Sequence, residues 1–257
     1  MESKIRPYIL AETNWKFVKN ENFKVAVLPW GATEAHNYHL PYATDNFQAT
    51  YIAEEAAKIV WENNEKVIVL PTIPFGVNTG QMDISLCINM NPSTQYAILK
   101  DIVQVLNNQN IEKLVIVNSH GGNNFKQIIR ELSLEFPKVF ICSLNWWQVE
   151  NANKYFETPG DHAGELETSV MLHIKPNLTL PLEQAGNGNE KKFKIVGLRE
   201  GWVSAQRQWG KISNDTGVGN PQKATKEKGA KFLKIVTQKV ANFLEELSKT
   251  DLDKMYE

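Results

Sequence analysis

The sequence predicts an α/β fold in which a mostly parallel central sheet lies between two layers of helices, a three-layer α/β/α sandwich. Two observations predict it. Short runs rich in β-branched residues recur along the chain, and the segments between them carry apolar residues at helical spacing. Strands that are apolar throughout are typical of parallel sheets covered on both faces, and crossover helices would form the two covering layers.

Strands and helices are predicted in alternation along the first half of the chain. The predicted strands are 24–29, 66–71, 113–118 and 138–144, and the predicted helices are 46–61, 93–107 and 122–136. Residues 221–247 open with Pro221 and show helical spacing, which predicts a long closing helix. Gly and Asn bound the segments within 176–220, which predicts an appended β-hairpin. No repeat or linker is evident, so 1–257 is expected to form a single domain.

Composition excludes several classes of function. The 257 residues contain 28 basic and 29 acidic side chains, a net charge of −1, and no run of basic residues, so nucleic acid is not an expected partner. The N-terminal residues lack a signal-peptide pattern, and no stretch approaches the roughly 20 apolar residues of a membrane span. A cytoplasmic protein without membrane contacts is expected. Cys87 and Cys142 stand singly, which favours buried free thiols over a disulfide framework.

The candidate site lies where the predicted strands end, because ligands bind outside the carboxyl ends of the strands in open parallel sheets. Three polar segments follow this rule: 30–45 after the first strand, 119–124 after the third, and 161–169 before a later helix. Four of the five histidines lie in these segments. They are His36, His39, His120 and His162.

The first segment carries side chains typical of metal ligands. Glu34 and His36 are two residues apart, a spacing that places both side chains on one side of an extended backbone. Asp45 lies within reach in the same loop, and His120 stands at a strand-to-helix turn before two glycines. Oxygen and imidazole ligands without thiolate suit Zn²⁺, Mn²⁺ or Fe²⁺, and such ions support hydrolysis.

Each of these residues also has a purely structural alternative. Asp45 could be the N-cap of helix 46–61, with Gln48 completing a capping box. His162 could be a surface loop histidine, and Glu165 and Glu167 could simply favour the first turn of a helix that begins at Gly164. His173 is interpreted as structural and His39 is undecided.

Four motifs in order resemble those of the creatininase (creatinine amidohydrolase) family: TEAHNYHLPYATDNFQA, NSHGGNN, HAGELETS and TGVGNPQKATKEKG. The resemblance runs from about Leu28 to Gly229. It implies a three-layer α/β fold, homo-oligomers that are often hexamers, and metal-dependent hydrolysis of a C–N bond in a small amide. By motif it assigns Glu34, His36, Asp45 and His120 as metal ligands, with Asp45 bridging when two metals are present. It also implies proton transfer by His162 and a further ligand at Glu167.

Two departures from the family pattern affect the expected substrate. Creatininase proper has an aromatic residue and a metal-binding glutamate directly after the motif histidine, where this chain has Gly121 and Gly122. A second metal would then depend on Glu167. Creatininase also has a tryptophan ahead of its His-Ala that packs on the substrate, where this chain has Thr158, Pro159 and Gly160. Creatinine itself is therefore not the expected substrate.

The sequence thus predicts a metal-dependent amidohydrolase acting on a cyclic amide or formamide, with one or two ions of Zn²⁺ or Mn²⁺, and Fe²⁺ as a third candidate. Predicted substrate contacts are Asn78 in the loop 72–92, Gly121 and Trp146, although Trp146 could instead pack in the core or an interface. Two alternatives remain. One is a non-catalytic metabolite-binding protein, and the other is a metallo-phosphoesterase that would need Arg199 or Arg207 over the site.

Overall fold

The structure is a computed structural model that describes residues 5–256; residues 1–4 and 257, which the single-domain prediction includes, lie outside the described part. Its sheet has four strands, which are β1 (Val25–Trp30), β2 (Val67–Val69), β3 (Lys113–Asn118) and β4 (Phe140–Asn145). The strand order is β2-β1-β3-β4 and every pairing is parallel. The predicted parallel sheet is therefore confirmed, with each strand within two residues of its predicted start.

Eight α-helices accompany the sheet within the described residues. They are α1 (Trp15–Val18), α2 (Thr44–Glu62), α3 (Pro92–Asn108), α4 (Lys126–Glu135), α5 (Glu165–Ile174), α6 (Val196–Arg199), α7 (Trp209–Ile212) and α8 (Lys226–Lys249). Helices α2 and α3 cover the predicted segments 46–61 and 93–107, whereas α4 begins four residues later than predicted, at Lys126, and the predicted closing helix α8 begins at Lys226. No helix in residues 5–256 has both the length and the apolar character needed to span a membrane.

Alternate residues of the strands supply two separate cores. Val25 and Val27 of β1 pack with side chains of α2 and α8 on one face of the sheet. Ala26 and Leu28 pack on the other face with side chains of α3 and α4. The two-residue period of a strand sends neighbouring side chains to opposite faces, so a strand apolar throughout can bury both. The predicted three-layer sandwich is confirmed.

The predicted hairpin within 176–220 is wrong, since this segment contains no β-strand. Two single backbone hydrogen bonds join its halves, from Lys191 N–H to the Ile212 carbonyl and from Gly219 N–H to the Gly188 carbonyl. The Asp215 carboxylate accepts from the Gly188 and Gly217 amides, so a side chain satisfies groups that a ladder would otherwise pair. The segments that Gly and Asn bound within 176–220 form loops and short helices, without strands.

The strand order places the candidate segments together. From β1 the chain crosses to β2 on one side and reaches β3 on the other, so the crevice between the ends of β1 and β3 is a topological switch point. Trp30 at the end of β1 pairs with Asn118 at the end of β3. The loops that follow these two residues therefore start side by side.

Candidate metal centre and active site

Glu34 and His36 lie in the loop after β1, and both side chains are buried. The His36 ring contacts the carbonyl of Glu34 through Nδ1 at 3.1 Å. Its Nε2 faces Glu34 Oε1 at 3.9 Å and Asp45 Oδ1 at 3.1 Å. The two side chains therefore face one cluster, as their spacing predicts.

Asp45 does not cap α2. The N-cap position is Ala43, and Asp45 lies inside the first helical turn. Gln48 makes no capping contact either, because its Oε1 accepts from the Ser119 hydroxyl at 3.1 Å. Helix α2 begins two residues earlier than predicted, which moves Asp45 off the cap and turns its buried carboxylate toward His36 and His120. The capping interpretation is wrong.

His120 follows β3 at the turn that the sequence predicts. Its backbone N–H donates to Asn118 Oδ1 at 3.1 Å, and its Nε2 contacts the Val77 carbonyl at 3.0 Å. Its Nδ1 lies 2.9 Å from Glu34 Oε1 and 3.1 Å from Asp45 Oδ2. The loop after the third strand and the loop after the first therefore meet at this ring.

His162 is buried rather than a surface histidine, with 8% of its surface exposed. Its backbone pairs with Val218 through two hydrogen bonds of 2.9 and 2.8 Å. Ring atom Nε2 contacts the Ala35 carbonyl at 2.8 Å, and Nδ1 lies 3.8 Å from Glu34 Oε1. Burial and then the charge of His36 lower its pKa, which favours the neutral ring.

Glu167 reaches the cluster from the first turn of α5. One of its oxygens accepts from the Ala163 backbone N–H at 2.5 Å. Its carboxylate also groups with His36 and Asp45, with one ligand atom from each within 4.8 Å of the others. Burial, with the charge of Asp45 adding to it and that of His36 opposing it, raises the pKa of Glu167 to about 7.

The three histidines share one hydrogen-bonding pattern. In His36, His120 and His162 one ring nitrogen contacts a backbone carbonyl, which only accepts hydrogen bonds, so that nitrogen carries the proton. In the neutral ring the second nitrogen then carries a lone pair, and in each of the three histidines this nitrogen faces a carboxylate. Histidines that hold metals show this arrangement, in which the outer N–H bond sets the tautomer and aims the ligand atom.

The residues fit a divalent cation. Asp45 Oδ2 is buried without a hydrogen-bond donor, although His120 Nδ1 lies only 3.1 Å away. Three sets of side chains each bring their ligand atoms within 4.8 Å of one another. The sets are Glu34 with His36 and His162, Glu34 with Asp45 and His120, and His36 with Asp45 and Glu167.

The electrostatics of the cluster also favour a bound cation. Burial opposes charge on Glu34, but His120, His162 and His36 lower the pKa of its carboxyl below the usual value. Burial likewise opposes charge on His36, but Asp45 and Glu34 raise its pKa to about 10. Without a metal, protons on the His36 and His120 imidazoles therefore balance the buried carboxylates, and a divalent cation at this point would supply that positive charge in their place.

Two further residues of these segments lie outside the cluster. Glu165 is fully buried and accepts from the Glu157 and Thr158 amides and from Lys228, so it holds the loop before α5 in place. His39 contacts the Thr168 hydroxyl at 2.8 Å through Nε2 and belongs to none of the three ligand sets.

A cavity of about 730 Å³ opens on the cluster. Asn78, Gly121 and Trp146 all line it, as do Glu34, Asp45, His120, His162 and Glu167. Trp146 is almost fully buried, and its indole N–H donates to the Ser119 hydroxyl at 2.8 Å. The ring is therefore both a core residue and part of the cavity wall.

Several lining residues were not among those predicted from the sequence. Gln81, Ser204–Gln206 and Trp209 line the cavity together with Arg207, which the sequence suggested only as a possible phosphate contact. The Trp209 ring packs edge-on against His162, with centroids 4.8 Å apart. Nothing in the local pattern marks Gln81 or Trp209, because both lie far along the chain from the ligands that they approach, Gln81 in the turn Thr79–Gln81 and Trp209 at the start of α7.

Comparison with known proteins identifies the family. The family model described as Creatininase, creatinine amidohydrolase, matches residues 11–244. The chain belongs to the creatininase family. Its members are amidohydrolases that act on C–N bonds.

Relatives within the creatininase family carry two different names. The chain is 28% identical over 214 residues to the mycofactocin precursor peptide peptidase of Mycobacterium ulcerans, covering 80% of this chain and 78% of that one. It is 23% identical over 175 residues to the creatinine amidohydrolase of Pseudomonas putida, covering 60% and 65% respectively.

Solved structures of the family share the fold. A Bacteroides fragilis protein described as a creatinine amidohydrolase superposes with a TM-score of 0.91 at 44% identity, over 98% of this chain and 99% of that one. A creatininase superposes with a TM-score of 0.79 at 20% identity, over 95% and 99%. At 20% identity, this second match shows only that the two proteins share a fold.

The two glycines of the creatininase-family His-Gly-Gly motif have different structural requirements. A Cβ on Gly122 would lie 2.3 Å from the Val77 carbonyl oxygen and 2.5 Å from His120 Nε2. A Cβ on Gly121 would meet nothing within 4 Å. This backbone therefore excludes any side chain at position 122, whereas position 121 is open toward the cavity.

We expect Gly122→Ala to lower the free energy of unfolding by about 1–3 kcal/mol, because the methyl group forces the Val77 and His120 segments apart. Gly121→Ala is the matched control and should leave stability within about 0.5 kcal/mol of the parent. Urea unfolding of the metal-free proteins measures both. Equal stability of the two variants would contradict the close approach at Gly122.

His39 should make the metal-free protein less stable in acid. Burial and then the charge of His36 lower its pKa from the ordinary value of 6.5 to about 4. The folded state therefore binds fewer protons than the unfolded state, and the stability from neutral His39 is present above pH 6.5 and lost as the pH falls toward 4. In His39→Gln we expect the loss of unfolding free energy between about pH 7 and about pH 5 to shrink by roughly 1–2 kcal/mol. Urea unfolding in chelator measures this, and an unchanged pH dependence would contradict it.

Proposed function

We propose that this chain is a metal-dependent amidohydrolase that hydrolyses the C–N bond of an amide with a water molecule. The observation that carries the proposal is the set of three buried histidines, each with one ring nitrogen bound to a backbone carbonyl and the other aimed at buried carboxylates. This pattern supports a metal centre, and family membership supports the amide C–N bond.

The proposed ligands are Glu34, His36, Asp45 and His120, with Zn²⁺ or Mn²⁺ as the expected ion and Fe²⁺ as a further candidate. A bound ion of this kind would acidify water and polarise the amide carbonyl. Creatininases of this fold are described in Zn-Zn and Mn forms. The donor set of this chain, imidazole and carboxylate without thiolate, suits the same ions.

A second ion is proposed to depend on Glu167. Position 122 cannot supply a carboxylate in this backbone, because a Cβ there would overlap the Val77 carbonyl. Glu167 instead approaches His36 and Asp45 from α5. Asp45 belongs to this set and also to the set with Glu34 and His120, so with two ions bound it would be a ligand to both.

His162 is the proposed proton-transfer residue. Its Nε2 is held by the Ala35 carbonyl, so Nδ1 is the atom at which a proton can be gained and lost. The residue lines the cavity and its ring packs on Trp209, which limits rotation. In the proposed reaction His162 accepts a proton released as water attacks the carbonyl and gives it to the departing nitrogen.

The proposed substrate is a cyclic amide, a formamide or a short peptide, rather than creatinine. The cavity of about 730 Å³ lies within the range of drug-sized ligand sites and exceeds what creatinine alone would fill. Pro159 and Gly160 line the wall where creatininase proper has a tryptophan. The relatives named as precursor peptide peptidases add peptides to the candidates. Proposed substrate contacts are Asn78, Gly121 and Trp146.

The two alternative functions find less support. A phosphoesterase would need a free cation for the phosphate, but Arg207 donates to Asp161 at 2.7 Å, so its charge is balanced within the protein. Arg199 does not line the cavity. A non-catalytic binding protein would have no need for a complete set of buried ligands.

One experiment separates these functions. Metal content of the purified protein is measured by elemental analysis, and hydrolysis is assayed on cyclic amides, formamides, short peptides and a phosphate monoester, before and after chelation. Amide hydrolysis that is lost with the metal and restored by adding it supports the proposal. Absence of bound metal, also after adding Zn²⁺, Mn²⁺ or Fe²⁺, would overturn it. Phosphate release from the monoester would establish the phosphoesterase. Thermal stabilisation by one of these compounds without its turnover would establish the binding protein.

A homo-oligomer, with a hexamer among the expected states, belongs to the same proposal. Large apolar side chains are strongly exposed in this chain, including Trp15 at 74%, Trp202 at 73% and Leu86 at 82%. Exposed aromatic side chains are enriched in subunit interfaces. Light scattering of the same preparation tests the oligomer, and a monomeric mass at micromolar concentration would contradict it.

A further inference from the structure

Gln81 is a buried side chain that touches a proposed metal ligand. It ends a short helical turn, Thr79–Gln81, in the loop between β2 and α3, and only 2% of its surface is exposed. Its amide nitrogen donates to Glu34 Oε2. The other oxygen of Glu34, Oε1, is the one that faces His36, His120 and His162.

The amide orientation of Gln81 is fixed by a second contact. The Cys87 thiol donates to Gln81 Oε1 at 3.1 Å and accepts from the Ala35 backbone N–H at 3.2 Å. An ionised Glu34 only accepts hydrogen bonds, so Gln81 must present its NH₂ to Glu34 and its oxygen to the thiol. Every polar atom of the Gln81 side chain is thereby used.

The loop that carries these residues is tied to the loop of the ligands. Ile88 N–H donates to the Thr33 carbonyl at 3.0 Å, next to Glu34. Leu86, which directly precedes Cys87, has a φ of 61°, a conformation that L side chains rarely adopt. Such backbone strain persists where the surrounding structure requires one geometry, here the placement of Cys87 under the ligand loop.

We infer that Gln81 is a positioning residue that holds Glu34 so that only Oε1 is presented to the metal, with Cys87 keeping the Gln81 amide in the required orientation. This inference rests on the proposed function. A carboxylate held through one oxygen binds a metal through the other. Without this bond the carboxylate could rotate and present either oxygen, and Oε2 would lie buried without a donor.

The test is titration of the metal-free protein with Co²⁺, followed by visible absorption, which reports both affinity and ligand geometry. Gln81→Met keeps the length and shape of the side chain but removes both hydrogen bonds. We expect Co²⁺ binding to weaken by about 10- to 100-fold, the usual effect of losing an outer contact to a metal ligand, with a changed spectrum. Gln95→Met is the matched control. Gln95 is a fully buried amide of α3 that donates to Asn123, so this substitution should cost stability without altering the Co²⁺ affinity or spectrum.

The outcomes separate this inference from the proposed function. If the parent protein binds no Co²⁺, the proposed metal centre fails. If the parent binds Co²⁺ and Gln81→Met has the same affinity and spectrum, the role of Gln81 is overturned while the metal centre stands. If Gln81→Met does not fold, Cys87→Ala tests the same arrangement, since it removes the thiol that holds the Gln81 amide and leaves Gln81 itself in place. We expect Cys87→Ala to weaken Co²⁺ binding at least about twofold, and unchanged binding would likewise overturn the inference.

Discussion

Asp45→Asn is expected to remove most of the metal from the purified protein and leave the fold intact. Asp45 belongs to two of the three ligand sets, and its two oxygens face His36 Nε2 and His120 Nδ1, each at 3.1 Å. A neutral amide is a weaker donor, so we expect metal affinity to fall by at least about 100-fold, more than the loss of an outer contact costs. Because Asp45 is not the N-cap of α2, the substitution removes no capping hydrogen bond.

Metal content and melting temperature of Asp45→Asn should be measured together, the latter in excess chelator so that bound metal does not contribute to stability. Asp215→Asn is the matched control with the opposite expectation. Asp215 is buried outside the ligand sets and accepts from the Gly188 and Gly217 amides, so its variant should lose about 1–3 kcal/mol of stability but keep its metal. Unchanged metal content in Asp45→Asn would remove Asp45 from the site.

His162→Gln is expected to abolish most of the turnover while retaining the metal. Glutamine can still donate to the Ala35 carbonyl but cannot carry a proton between water and the departing nitrogen. Loss of a general acid-base group usually lowers the rate by about 100- to 10,000-fold, and we expect a fall of that size in kcat. Steady-state kinetics on the substrate that the hydrolysis assays identify measure this fall in kcat, with metal content determined on the same sample.

The control for this variant is His173→Gln, near the end of α5, the helix that follows His162, and outside the ligand sets. The His173 ring forms a hydrogen bond of 3.4 Å with the Tyr51 hydroxyl and packs edge-on against the Tyr51 ring, so both kcat and metal content should stay close to the parent. Metal loss in His162→Gln as severe as in Asp45→Asn would show that His162 is a ligand. The set of Glu34, His36 and His162 makes this second role geometrically available.

The structure decides against two alternatives that the sequence leaves open, the Asp45 cap and a surface His162, and against one prediction, the hairpin, and in each case the local signal is ambiguous. The Asp45–Gln48 spacing satisfies the capping-box pattern, yet α2 begins at Thr44 and both side chains turn to tertiary partners. The turn residues of 176–220 were read correctly, but whether two segments pair as strands depends on long-range contacts, and here Asp215 binds the backbone instead. His162 is buried where its backbone pairs with Val218, which lies far away along the chain. The sequence around His162 gives no indication of this pairing.

The sequence by itself determined the order of strands and helices, the two covered faces of the sheet and the segments from which the candidate ligands come. These features depend on hydrophobic period and on the rule that loops at the carboxyl ends of parallel strands share one edge. Only the tertiary structure decided which atoms meet: that Oε1 rather than Oε2 of Glu34 faces the histidines, that Glu167 joins His36 and Asp45, and that Gln81 and Trp209 reach the site at all. Such contacts join residues distant along the chain, and their geometry depends on side-chain orientations that only the packed protein selects.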